Sequence, residues 1–147
     1  MVIRAGLQSD ILKVSRLWVE LVKELGPELT PNVEWWREHA EIYMRSGVYF
    51  VFVAEEGGRP VGFIDYFLFK EPATSKVHAV GQHFYVLPEY RKSKVSGQLW
   101  RKAMTHGKKN GAQIYELYCF EKELPFWKRH SFLPKRNLVR REIINHV

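Results

Sequence analysis

Apolar positions in the first quarter of the chain recur at helical spacing. Ile11, Val14, Leu17, Trp18, Leu21, Val22 and Leu25 follow Ser9-Asp10 and precede Gly26-Pro27, which predicts an amphipathic helix with a polar cap in front and a stop behind. Thr30-Pro31 reads as a cap with proline at the first helical position. It opens a second helix that carries Trp35, Trp36, Ala40, Tyr43 and Met44 as far as Gly47. Residues 48–55 (VYFVFVAE) and 61–70 (VGFIDYFLFK) are β-branched and aromatic and flank EGGRP, the pattern of a β-hairpin. A third strand is expected over 76–87, stopped by Pro88.

A helix over Val95–Lys109 follows, with Ser93 as its cap and Gly111 at its end. Beyond it come a strand over 112–119, a short helix near 122–130 and a last strand over 138–146, with a short first strand at 2–5. The order is β-α-α-β-β-β-α-β-α-β. Both faces of the hairpin strands are largely apolar, so helices should cover both sides of the sheet. The fold class is therefore α/β (α+β), and the whole of 1–147 reads as one domain.

Composition adds limits to this picture. Cys119 is the one cysteine, which precludes an intrachain disulfide and fits a reducing compartment. The first residues, MVIRAGLQSD, lack an apolar leader, and the longest apolar run, VYFVFVA, is far short of the roughly 20 residues that cross a bilayer. These features read as a cytoplasmic chain with no membrane partner. The six histidines show no metal-ligand spacing, so no metal is expected.

Net charge is +7, which favours anionic partners. Its distribution is informative. Residues 91–110 hold Arg91, Lys92, Lys94, Arg101, Lys102, Lys108 and Lys109 and no acid. Within that stretch, YVLPEYRKSKVSGQLW (85–100) reads as strand, break, basic turn and helix start. The first amides of a helix lack internal partners and carry the positive end of the macrodipole, so a diphosphate can rest there. The plain alternative is a solvated basic face.

Two motifs bring a family resemblance. Val86-x-Pro88-x-Tyr90-Arg91 with its basic turn and helix, and PFWKRHSF at 125–132, resemble the V-x-P-x-Y-[RQ]-x-x-G-x-G/A and F-Y-x-x-x-G-F motifs of the GNAT family of N-acetyltransferases. The order of elements extends the resemblance over nearly the whole chain. It implies a mixed, mostly antiparallel sheet with helices on both faces. It also implies acetyl-CoA as cosubstrate and an amine acceptor, a small molecule or a protein, attacked directly in a ternary complex. A homodimer is implied by analogy.

The resemblance sets the pantetheine arm along Tyr85, Val86 and Leu87. It sets the diphosphate over the amides of Ser93, Lys94, Val95, Ser96 and Gly97, with Arg91 and Lys92 nearby. There are departures. Lys94 and Ser96 stand where the family has glycine, with Gly97 one position late. Trp127 stands at the family's tyrosine, the usual proton donor to the departing thiolate, and Ser131 at its glycine. An indole N–H donates a hydrogen bond but does not usefully lose its proton.

Acetyl transfer to an amine needs a base, and the third strand offers Gln82 and His83 but no carboxylate. His83 has a suitable unperturbed pKa; its plainer reading is a hydrogen-bonded strand histidine. Asp65, on a strand face with Phe63 and Phe67, is a second candidate, or a buried structural hydrogen-bonder. Tyr118 is a candidate replacement acid, or a packing residue. Trp35 and Trp36 read as core or as part of an acceptor pocket. Two further readings stay open. One is a degenerate member that binds CoA or a macromolecular partner without catalysis. The other is a nucleic-acid-binding module, motivated by 91–110 and by Lys128, Arg129, Lys135, Arg136, Arg140 and Arg141. An acidic or nucleic-acid-associated partner would reconcile it with catalysis.

Overall fold

A computed structural model describes residues 1–135 and 141; the strand expected over 138–146 lies outside them. The elements are β1 (Val2–Ala5), α1 (Ile11–Leu25), α2 (Val33–Ser46), β2 (Tyr49–Glu56), β3 (Arg59–Lys70), β4 (Val77–Val86), α3 (Val95–Lys109), β5 (Ile114–Leu117) and α4 (Leu124–Arg129). They form one five-stranded sheet in the order β1-β2-β3-β4-β5. The first three pairings are antiparallel and β4–β5 is parallel, as expected for a mixed sheet reached through the α3 crossover.

The apolar strands are covered on both sides. Ile11, Val14, Leu17 and Trp36 from α1 and α2 pack on Val51, Val53, Phe63 and Tyr85. On the opposite face, Leu99, Trp100 and Ala103 of α3 and Trp127 of α4 pack on Phe52, Ile64, Tyr66 and Val86. Gly62 is needed for this second layer. A Cβ there would lie 3.0 Å from the Tyr85 carbonyl oxygen and 3.1 Å from Leu99 Cδ1, so the glycine lets β3, β4 and α3 close on one another. The β2–β3 turn is Gly57-Gly58, both at positive φ (57° and 79°), the conformation a two-residue hairpin turn demands.

Some boundaries move. The cap of α2 is Asn32, not Thr30: its side chain accepts from the Trp35 amide at 3.1 Å, because an Asn oxygen two residues nearer the first turn reaches the orphan donor directly. Lys94, not Ser93, occupies the cap position of α3, though Ser93 Oγ accepts from the Val95 amide at 3.3 Å. β5 is shorter than the 112–119 expected.

Candidate functional site

The site is built around an irregularity in β4. In the β3–β4 ladder Tyr66 faces Gly81 and Asp65 faces His83, leaving Gln82 without a partner. This β-bulge reverses the alternation of side chains along the strand. Ala79 packs towards α3. Beyond the bulge His83 joins Asp65 on the face towards α1 and α2.

Asp65 is fully buried and its carboxylate is satisfied from three directions. Oδ1 accepts from the His83 backbone amide at 2.6 Å. Oδ2 lies 2.8 Å from His83 Nδ1 and also accepts from the Tyr49 hydroxyl. A buried carboxylate is costly unless paired in this way. Burial pulls the His83 imidazole pKa down, and the Asp65 charge and hydrogen bond pull it up; the net shift is upward. Burial raises the Tyr49 pKa well above its usual range, and Asp65 adds to it, so Tyr49 is the donor. With Nδ1–H held on Asp65, His83 Nε2 carries the lone pair. Trp18 Nε1 lies 3.4 Å from it, and Trp18 in turn stacks on Trp36 with ring centroids 5.4 Å apart.

The other half of the site lies at the open end of β4. β5 pairs with β4 only from His78 to Gly81, so among the described residues the edge from Gln82 to Val86 has no strand on its β5 side. The chain then passes through a 3₁₀ turn, Pro88–Tyr90, into α3. The first main-chain bond into α3 is Gln98 N–H to the Lys94 carbonyl, at 3.0 Å; Ser96 and Gly97 keep amides without such partners. The first turn holds no acid, while Lys92, Ser93 and Lys94 are exposed. Cations at the positive end of a helix are unfavourable by about 0.3–1 kcal/mol each, a cost an anion there would offset. Lys94 has φ −74°, a backbone any residue adopts, so the missing glycine brings no strain.

Arg91, expected beside the diphosphate, is engaged on the α1 side. Its Nε donates to the Val86 carbonyl at 2.7 Å and its Nη2 to Glu24 Oε1 at 2.7 Å, and it lies over the Tyr85 ring. The guanidinium finds a carboxylate, a carbonyl and an aromatic face on the α1 side. Tyr85 Oη also reaches Glu24 Oε1, at 3.3 Å. Leu87 is half-buried and its amide bonds the Val61 carbonyl at 2.9 Å.

The structure therefore brings His83 and Asp65 together and leaves Tyr118 apart, just past β5 and 76% exposed. Trp127 is 3% exposed among Phe84, Trp100, Phe126 and Phe132, a core position with no hydroxyl. Trp36 is buried and Trp35 exposed. Tyr49, Trp18 and Glu24 were not foreseen. Each sits in an ordinary apolar or solvent row, and no local spacing marks it. No group of three or more His, Cys, Asp or Glu side chains among the described residues is arranged to hold a metal ion. No helix among them is long and apolar enough to cross a membrane.

The fold is that of a mixed sheet in which the β4–β5 parallel pairing ends at Gly81, leaving a free strand edge beside the start of α3. The description "Acetyltransferase (GNAT) family" matches residues 15–132, and the chain belongs to that family. No curated protein matches it. Among solved structures, it resembles a predicted acetyltransferase with acetyl-CoA from Clostridium acetobutylicum, with a TM-score of 0.81 at 15% identity over 96% of this chain and 95% of that one. It also resembles a GCN5-related N-acetyltransferase from Ralstonia eutropha, with a TM-score of 0.79 at 19% identity over 96% and 97%. A third is glucosamine-6-phosphate N-acetyltransferase from Arabidopsis thaliana, with a TM-score of 0.77 at 18% identity over 97% and 98%. At such identities the likeness is one of fold.

Proposed function

We propose that the chain moves an acetyl group from acetyl-CoA to a primary amine, with His83 as the base. One observation carries this reading: the strand that presents an unladdered backbone edge also presents, from the same bulge, an imidazole held by a buried carboxylate. The residues suit the cosubstrate. Backbone groups along Gln82–Val86 offer peptide-like partners to an extended amide chain, and the amides of Ser96 and Gly97 with Lys92 and Lys94 suit a diphosphate. Acetyl-CoA, when bound, supplies a thioester whose thiol leaves readily.

The chain's own residues then do three things. Asp65 holds the His83 ring and its tautomer, and Tyr49 holds Asp65. His83 Nε2 accepts a proton from the acceptor ammonium, so that a neutral amine attacks. The acceptor displaces Trp18 Nε1 from that nitrogen and rests against the Trp18 ring, which Trp36 backs from the core. A general acid at Trp127 is not required, because a thiol pKa of about 8.5 makes the thiolate an adequate leaving group.

The test is release of CoA thiol from acetyl-CoA across a panel of amines. Active wild type is expected, and His83→Asn should lower kcat/KM by about 10²–10⁴-fold, the usual contribution of a general base. Tight acetyl-CoA binding with no turnover on any amine would instead favour a non-catalytic member of the family.

A further inference from the structure

A cavity of about 560 Å³ lies away from the His83–Asp65 pair, in a groove between α3 and the β1 edge of the sheet. Its floor is Ile3, Ala5 and Phe52, and its wall includes Arg101, Lys102 and Lys109. No acid lines it. Among the described residues none of these three cations forms an ion pair, although Arg4 on the other face of β1 is bonded to both Asp10 and Glu55. His106 also lines the groove; burial, with Lys109 nearby, lowers its pKa, so it adds no positive charge at neutral pH. The acetyl transfer reading uses none of this surface.

β1 is the terminal strand of the sheet, and among the described residues nothing pairs with its outer side. Such an edge carries unused peptide donors and acceptors. We propose that the groove is a docking site for an acidic, extended segment of a partner protein, which adds to β1 as a further strand and turns its carboxylates towards Arg101, Lys102 and Lys109. Side chains of an added strand alternate between faces. Every second residue therefore meets the basic wall of α3, and an acidic residue at those positions completes it electrostatically. A nucleic acid suits the groove less well. Its aromatic floor residue, Phe52, is 3% exposed and offers no face for a base to stack on, whereas a strand edge recognises peptide.

The experiment is fluorescence anisotropy on the full chain with a labelled peptide of alternating glutamate and valine. A scrambled peptide with its glutamates in one block and a labelled oligothymidylate serve as rivals. Binding of the alternating peptide is expected, with the scrambled one weaker. Lys102→Glu combined with Lys109→Gln should weaken binding at least about tenfold, and so should a rise from about 50 mM to about 300 mM salt. Acetyl-CoA binding and the melting temperature of the double variant should stay near wild type, which separates a lost dock from a damaged fold. Absence of peptide binding, equal binding by the variant, or no preference for the alternating peptide over the scrambled one would overturn the proposal. Tighter binding of the oligothymidylate at the same residues would replace it with a nucleic-acid surface.

Discussion

At the scale of single residues the proposed acetyl transfer rests on His83 and its carboxylate. Because Asp65 raises the His83 pKa and the free base is the working form in the proposed reaction, activity should climb as pH passes upward through that raised value. Asp65→Asn removes the charge and the acceptor for Nδ1–H. Its kcat/KM profile should therefore inflect at lower pH than wild type, with a plateau reduced by about tenfold or more. An inflection that does not move would show that the pair is not the base. Both residues were legible as candidates, since few side chains in the strands titrate near neutrality. Their partnership was not. Strict alternation along β4 puts His83 on the Ala79 face, towards α3, and only the bulge at Gln82 turns it towards Asp65. Nor did sequence separate Arg91 from its basic neighbours. Its choice of Glu24, 67 positions away, depends on α1 lying across the end of β4.

At the scale of elements, helix and strand positions follow closely from periodicity, while the ends follow from local hydrogen bonds. Asn32 out-competes Thr30 as a cap because its oxygen meets an unpaired amide. β1 is four residues long and is held by a junction that no pattern reveals. Asp10 Oδ2 accepts from Arg4 Nη1 and from the Leu7 amide, both at 2.7 Å, and Oδ1 from Arg4 Nη2 at 2.8 Å. Hydrogen bonding to Arg4 is the chief cause that lowers the Asp10 pKa. A depressed carboxylate stabilises the fold at pH above its unfolded value, about 3.9, and loses that contribution as pH falls below it. Asp10→Asn should cost about 1–3 kcal/mol near neutrality. Urea midpoints across a pH series should show the gap to wild type narrowing below pH about 4; a constant gap would mean that the charge is immaterial.

For the molecule as a whole, the cosubstrate reading predicts linkage between binding and stability. Acetyl-CoA at about a hundredfold over its Kd should stabilise the folded chain by about 2.7 kcal/mol and raise its melting temperature accordingly. Lys92→Glu combined with Lys94→Glu should remove much of that rise without lowering the ligand-free melting temperature, since both side chains are exposed at a helix end that disfavours cations. A full rise in the double variant would place the diphosphate elsewhere. Composition and periodicity were enough to establish an α/β chain, two helices before the hairpin, a long basic helix after the third strand, and the motif that resembles the GNAT family. These are short-range properties, set by side-chain period, turn residues and helix starts within a few positions. Which face His83 occupies, which carboxylate Arg91 meets and which cations line the β1 groove are long-range outcomes. They depend on one unpaired residue in a ladder and on how helices cross the sheet, and no window of neighbouring residues contains that information.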